Sequence, residues 1–549
     1  MTRRRLTAWR QKLARYNAAM EATFDYIVIG AGSAGCVLAS RLSEDPAVSV
    51  CLIEAGGEAR HPLIDMPLTW MQAAADPRFT WGYEASPDPN LDGRRQPIPR
   101  GKLLGGSSSI NGTMYIRAAA ADYDGWRDAG HIGWGYDDVL PYFRRSEANW
   151  RGESVEHGAS GEMTVSPMRP DPTLYPAFLE TAKRLGYPEC PDFNIASPEG
   201  FGMPDCTIRA DRRASTMRAF IDPVRHRPNL LLLPDTTVLR ILFEQKRARG
   251  IEVQRHGQRG RIDCRGEVIV SAGALNSPHL LMLSGIGPAE QLARLGIATL
   301  VDLPGVGQNL QDHPIAMAIW KSAVPIAFND DLRLDRLALA FLRWRVFGTG
   351  PLSQSPMSIQ GFVRSGDEQA RPDIQFQIVH SGYDARIWFP FWRKPPVPQF
   401  SCGAILLDPE SRGEVTLRSA DPLALPQVQF NFMSADADKQ RLRAAFRFTR
   451  RFMSTGPAAE LAEVEIAPGF AAQDDAAIDA WLRASLISAG HPTSTCAMGS
   501  VVDDMLRVKG VEGLRVADAS VMPTIVRGNT HAPTVMIAEK ASDLVRRSA

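Results

Sequence analysis

An α/β fold organised on a parallel sheet is what this 549-residue sequence predicts, and three observations carry the prediction. Residues 26–29 form a short β-branched apolar run of the kind that buried central strands carry. Gly30-Ala31-Gly32-Ser33-Ala34-Gly35 follows directly and opens a segment, 36–42, that is apolar at helical spacing. Residues 48–53 form a second apolar run, closed by Glu54 nineteen residues beyond Gly35 and followed by Ala55. Strand, glycine turn, helix, strand and acid therefore come in order. Gly30 makes the tight turn, Gly32 lets the backbone approach a pyrophosphate, and Gly35 lets the helix pack on the strand, its N-terminal N–H groups facing the phosphates. A carboxylate at Glu54 accepts hydrogen bonds from a ribose diol and repels a 2′-phosphate. The unit predicts a dinucleotide site, and by itself it does not separate NAD from FAD.

Composition narrows the function classes. The length asks for two or more domains, and 44% hydrophobic with 22% charged residues is ordinary for a soluble globular protein. A formal net charge of +1 gives no electrostatic case for nucleic acid. No apolar run approaches the roughly 18–20 residues that span a bilayer. Seven scattered cysteines without a C-x-x-C pair predict no metal site and fit a reducing cytoplasm. Residues 1–23 are basic and lack an apolar signal core, so they are expected to be a frayed extension. Leu6, Trp9, Leu13, Tyr16 and Met20 fall at a/d spacing, which makes this the one segment expected to offer a membrane contact, as a basic amphipathic helix.

Further along, 58–100 lacks any sustained period and is rich in Pro, Asp, Trp and Arg, which predicts a lid or binding loop. Residues 101–115 contain Gly105-Gly106, Ser107-Ser108-Ser109 and Asn111-Gly112-Thr113-Met114, and place many N–H groups and hydroxyls in one loop able to wrap a polar cofactor. Helices are expected near 139–147, over 174–187 and after Ala274. Strands are expected at 230–233, 238–243, 250–253 and 267–273. Residues 303–314 form another polar, glycine-containing turn. Residues 320–490 read as a separate sheet-containing domain that holds Phe376, Trp388, Phe389, Phe391 and Trp392. A strand at 513–518 and a helix opened by Pro533 close the chain.

Four blocks in this order, GAGSAG with Glu54, GKLLGGSSSINGTMYIR, GALNSPHLLMLSGIG, and HPTSTCAMG followed by LRVADASVMPTIVRGNTHAPTVMIAEKA, resemble the glucose–methanol–choline oxidoreductase family over about 24–546. The resemblance implies FAD as cofactor and an alcohol as donor. It goes with a Rossmann-like FAD-binding domain (24–60, 101–160, 235–319 and 490–549), a lid (61–100), and a discontinuous substrate-binding domain (161–234 and 320–489) built on an antiparallel sheet flanked by helices. It implies FAD contacts at Gly30, Gly32, Ser33, Ala34, Gly35, Glu54, Ala55, Gly105, Ser107, Asn111, Gly112, Thr113, Met114, Val238, Asp518, Ala519, His531 and Thr534.

By the same resemblance His491 matches the catalytic histidine and His531 its partner. Alcohol oxidation removes a hydroxyl proton and a carbon-bound hydride; flavin N5 takes the hydride and an imidazole suits the proton. His491 is thus expected as base and His531 as the group that orients the alcohol, while His61, His131, His157, His226, His256, His279, His313 and His380 are expected to be ordinary. Ile98 stands where some members carry a histidine that bonds the flavin, which predicts noncovalent FAD. Ser494, Ala497 and Ala118 depart from the family's common Gly, Arg and Gly. The expected substrate is an apolar, aromatic or choline-like primary alcohol, oxidised to an aldehyde; the aromatic residues of 320–490 suggest the first two, and a choline site would need an aromatic cage with a carboxylate. The acceptor is expected to be oxygen or a quinone or dye. A flavoprotein of the same fold with divergent chemistry is the alternative, and retention of both histidines speaks against it.

Overall fold

A computed structural model describes residues 22–382, 385–470 and 472–547. The membrane contact expected of 1–23 falls, apart from Ala22 and Thr23, outside the described residues.

The first sheet grows from Thr23–Ile29. This strand pairs in parallel with Val50–Ile53, which pairs in parallel with Leu230–Leu233. On its other side lies the distal half of Gln258–Val270, followed by Leu514–Val516, also parallel. Thr237–Glu244 and Arg247–Arg255 extend the sheet as an antiparallel meander. Ile27, Val28, Val50, Cys51, Leu52, Val268 and Ile269 are wholly buried. Such continuous apolar strands are what a parallel sheet covered on both faces demands. The strands end level with one another: Gly30 N–H donates to Ile53 O, Glu54 N–H to Leu233 O, and Ser271 N–H to Ile29 O. In open α/β sheets the crevice beyond such carboxyl ends is where ligands sit.

The second sheet is antiparallel, in the order Ala462–Ala467, Pro314–Ser322, Gln399–Leu406, Ile374–Val379, Met357–Val363 and Gly200–Gly202, with Ile487–Ser488 beside Pro314–Ser322. Helix Asp436–Met453 lays Leu442, Ala445, Phe446 and Phe452 on it, and Leu174–Arg184 adds Phe178. Together the two sheets give a Rossmann-like domain and a substrate-binding domain of antiparallel sheet and flanking helices.

Two expected boundaries move. Leu230–Leu233, placed by the sequence in the second domain, is a parallel strand of the first sheet; four consecutive leucines suit a strand covered on both faces. Pro314–Ser322 was assigned to the first domain as far as 319 and lies in the second sheet. Its strict alternation of buried and half-buried residues marks an antiparallel strand with one face covered. The lid also carries more structure than expected, with helices Pro62–Asp65 and Trp70–Ala75 and a short pairing of Tyr83–Glu84 with Pro97–Ile98.

The closing helix His531–Arg546 packs along the opening helix Ser33–Leu42. Buried Arg41 bonds Glu539 at 2.9 Å and Glu162 at 2.7 Å, and Arg145 adds a second cation to Glu539. The two helices therefore begin side by side at the same cavity.

Candidate active site

At the carboxyl ends of the first sheet opens a cavity of ≈ 1430 Å³. Gly30, Gly32, Ser33, Ala34, Glu54, Ala55, Ser107, Asn111, Gly112, Thr113, Met114, Val238, His491, Asp518, Ala519, His531 and Thr534 all line it. Gly35 and Gly105, also expected to touch the cofactor, form the wall behind. A Cβ on Gly35 would lie 1.9 Å from Gly30 O, so Gly35 is the contact that holds helix against strand. Gly105, at φ +86°, donates its N–H to Ala31 O and so docks the serine loop on the glycine turn.

Three features of the lining fit a flavin dinucleotide. A Cβ added to Gly32 would meet nothing within 4 Å and would project into the open space. The helices beginning at Ser33 and His531 both present N-terminal N–H groups there, suited to phosphate and to negative charge. Buried Thr113 Oγ1 and His531 Nε2 find no hydrogen-bond partner among the described residues, and unpaired buried polar atoms are costly unless a ligand meets them. Glu54 accepts N–H bonds from Ala31 and Gly56, one on each carboxylate oxygen, and burial pushes its pKa up to about 7. Asp518 ties Gly273 N–H, Ser277 Oγ and Ser520 N–H together, which fixes the last strand to the preceding one.

The sequence pairing of His491 with His531 is corrected by the geometry. His531 Nδ1 lies 3.0 Å from Ser33 Oγ, at the glycine turn. The side chain that meets His491 Nε2 is Asn529 Nδ2, at 3.2 Å. His491 Nδ1 meets His313 Nδ1 at 3.0 Å, and His313 Nε2 meets Leu407 O at 3.1 Å. A carbonyl only accepts, so His313 carries its proton on Nε2. Its Nδ1 must then accept from His491 Nδ1–H, which leaves the lone pair of His491 on Nε2, toward Asn529 and the cavity. Asn529 Oδ1 in turn accepts from Gln375 Nε2 at 3.2 Å, which sets the amide with its N–H toward the imidazole. Asp312, buried, accepts the backbone N–H groups of His313 and His491 and the Ser488 hydroxyl. Burial, with the nearby His313 and Arg100, holds the His491 pKa well below the usual histidine range, and burial lowers His313 to about 4. Both rings are neutral at ordinary pH.

His313, read from sequence as ordinary, is thus part of the site, and Asn529 was missed. Arg213 was missed as well: fully buried, it donates Nη1 to Asn111 O and Oδ1 and Nε to Ile64 O, pinning the serine loop to the lid. Ile98 is buried, lines the cavity, and offers no group for a bond to a cofactor. Ala118 and Ser494, the departures from common glycines, sit at φ +70° and +73°, the left-handed region that explains the glycine at those positions. The aromatics expected to shape the pocket do not line it. Phe376 packs in the core against Phe201, Phe448 and Phe452, while Phe389, Phe391 and Trp392 are on the surface.

Residues 24–315 and 409–538 match the two models described as GMC oxidoreductase. The chain belongs to the GMC oxidoreductase family. It is 40% identical over 543 residues to an oxygen-dependent choline dehydrogenase of Vibrio vulnificus (strain YJ016), covering 96% of this chain and 95% of that protein. It is 41% identical over 536 residues to the mitochondrial choline dehydrogenase of Homo sapiens, covering 95% and 90%. Among solved structures, pyridoxine 4-oxidase from Mesorbium loti superposes with a TM-score of 0.85 at 29% identity, covering 95% of this chain and 99% of that one. This GMC member is an FAD-dependent oxidoreductase acting on CH–OH donors.

Proposed function

We propose that this enzyme oxidises an uncharged primary alcohol to its aldehyde, with His491 Nε2 as the base and FAD held without a covalent bond. The observation that carries this reading is the tautomer chain Leu407 O, His313, His491, which leaves an unprotonated Nε2 beside Asn529 in the wall of the cavity. FAD, when bound, supplies the acceptor for the hydride lost from the carbinol carbon. His491 Nε2 takes the hydroxyl proton, and the Asn529 Nδ2–H next to it donates to the substrate oxygen as charge develops there. His531 and Thr113 offer their unpartnered atoms to the cofactor, which the glycine turn and Glu54 would also meet.

The substrate class follows from what surrounds His491. Ile315, two residues from His313, pairs in register with Ile405 on one side and Ile487 on the other, and all three line the cavity. Met114 and Gln377 complete this end. The carboxylates in the lining are Glu54, Glu84 and Asp518; the first and last are engaged by backbone N–H groups, and Glu84 is exposed beside Arg95. All three lining carboxylates are thus already partnered. A quaternary ammonium placed at the isoleucine end would be a desolvated cation without a free counter-charge.

The test is anaerobic bleaching of the bound flavin by a panel holding 1-hexanol, benzyl alcohol and choline. The neutral alcohols should reduce it at least about a hundredfold faster than choline, because an unpaired buried cation costs several kcal/mol. Comparable rates would overturn the substrate reading. Flavin that stays with the acid-precipitated protein would overturn noncovalent binding.

A further inference from the structure

A second surface asks for an explanation of its own. Helix Leu334–Phe347 buries one stripe, Leu337, Ala340 and Trp344, against Met66, Leu68 and Leu352. Its opposite stripe, Leu339, Leu342 and Val346, has the same spacing displaced by two residues, about 200° around the helix at ~100° per residue. Those three side chains are exposed, as are Leu334 and Phe347, the latter at 75%. A second segment adjoins the helix start: Leu334 N–H donates to Trp388 O, and Trp388 Nε1 to Asn329 O. Beyond Trp388, the chain exposes Phe389, Phe391, Trp392 and Val397, with Phe391 fully exposed at 109%. Soluble monomers seldom expose so many large apolar side chains on two neighbouring elements without a use for them.

Cations outnumber carboxylates around this apolar surface. Arg333 and Arg336 are paired with Asp335 and Asp330. Among the described residues Arg345, Arg386, Arg393 and Lys394, all exposed, have no carboxylate partner, and the Arg393 guanidinium lies 4.8 Å from the Trp392 ring centre. Apolar and aromatic side chains flanked by long cations match the acyl–headgroup boundary of an anionic bilayer. A protein partner's recess would have to accommodate two separate apolar protrusions and supply the counter-charges as well.

We propose that helix Leu334–Phe347 and segment 387–397 seat the enzyme on the surface of anionic lipid membranes, with Leu342, Val346, Phe391 and Trp392 entering the interface and Arg393 and Lys394 at the headgroups. The inner stripe of the same helix rests on the lid, whose Trp70 and Met71 line the cavity, so one helix lies between the proposed membrane face and a wall of the cavity. The sequence placed any membrane contact at 1–23; this surface lies elsewhere and needs nothing from that segment.

The test is flotation of the FAD-loaded protein with phosphatidylcholine vesicles, with and without phosphatidylglycerol, at low and high salt. Wild type should float with the anionic vesicles and lose most of this in high salt. Arg393→Gln/Lys394→Gln should weaken partitioning by about fivefold per cation removed. Leu342→Glu/Val346→Glu and Phe391→Ser/Trp392→Ser should each weaken it by about tenfold or more while leaving the flavin spectrum and melting temperature unchanged. Absence of flotation with anionic vesicles at low salt would overturn the proposal, and so would variants that float like wild type. Variants whose only effect is to dissolve a dimer in sedimentation would also overturn it and assign the surface to a second copy.

Discussion

A buried imidazole kept neutral on the wall of the cavity is the residue on which the proposed chemistry turns. Because burial lowers the His491 pKa, the ring stays unprotonated as pH falls through the usual histidine range. The acid limb of kcat/KM for flavin reduction should therefore lie clearly below pH 6.5, and a limb at or above that value would contradict the account. His491→Ala should retain FAD and slow flavin reduction by about a hundredfold or more. Asn529 and His531 should separate cleanly. Asn529→Ala should slow reduction with the cofactor still bound, whereas His531→Ala should weaken FAD retention, read by flavin fluorescence of the filtrate. Sequence named His491 through its motif, yet it put His531 where Asn529 stands. The two are separated by one residue at the start of a helix, and motif spacing cannot show which of them turns toward a ring thirty-eight or forty residues earlier in the chain. His313 was illegible for a related reason: it reaches His491 only through the register of the second sheet, which no local pattern encodes.

At the scale of elements, the glycine turn was legible almost in full, because its demands are local. A Cβ on Gly35 meets Gly30 O at 1.9 Å, and one on Gly106, at φ +53°, meets Gly32 Cα at 2.8 Å. Gly35→Ala should destabilise the fold by about 1–3 kcal/mol through overpacking, seen as a lower denaturation midpoint. Ala118→Gly should act in the opposite sense, raising stability by about 1 kcal/mol where the left-handed backbone strains a side chain. The lid was legible as an irregular stretch but its short helices were not. Each is too short to carry a period, and each is held by tertiary contacts such as Arg213 Nε to Ile64 O.

The molecule as a whole depends on its two ends meeting. Glu539, wholly buried on the last helix, is the one fully buried carboxylate among the three that meet Arg41 on the first, and Glu539→Ala, which leaves Glu162 and Glu44 in place, should cost about 1.5–3 kcal/mol. Loss of FAD and of the thermal transition should then occur together, since the two helix starts share the cavity. The parallel strands were legible from their continuous apolar composition, whereas the antiparallel second sheet was expected only from the family resemblance, since its strands Met357–Val363 and Gln399–Leu406 are themselves almost continuously buried. The borders at 230–233 and 314–322 were not legible, because membership depends on which partner a strand finds across the chain. The most direct test of the account is the anaerobic rate of flavin reduction by 1-hexanol in wild type and in His491→Ala, each fully loaded with FAD. The account predicts rapid bleaching in the first and a loss of about a hundredfold or more in the second; equal rates in the two would contradict it.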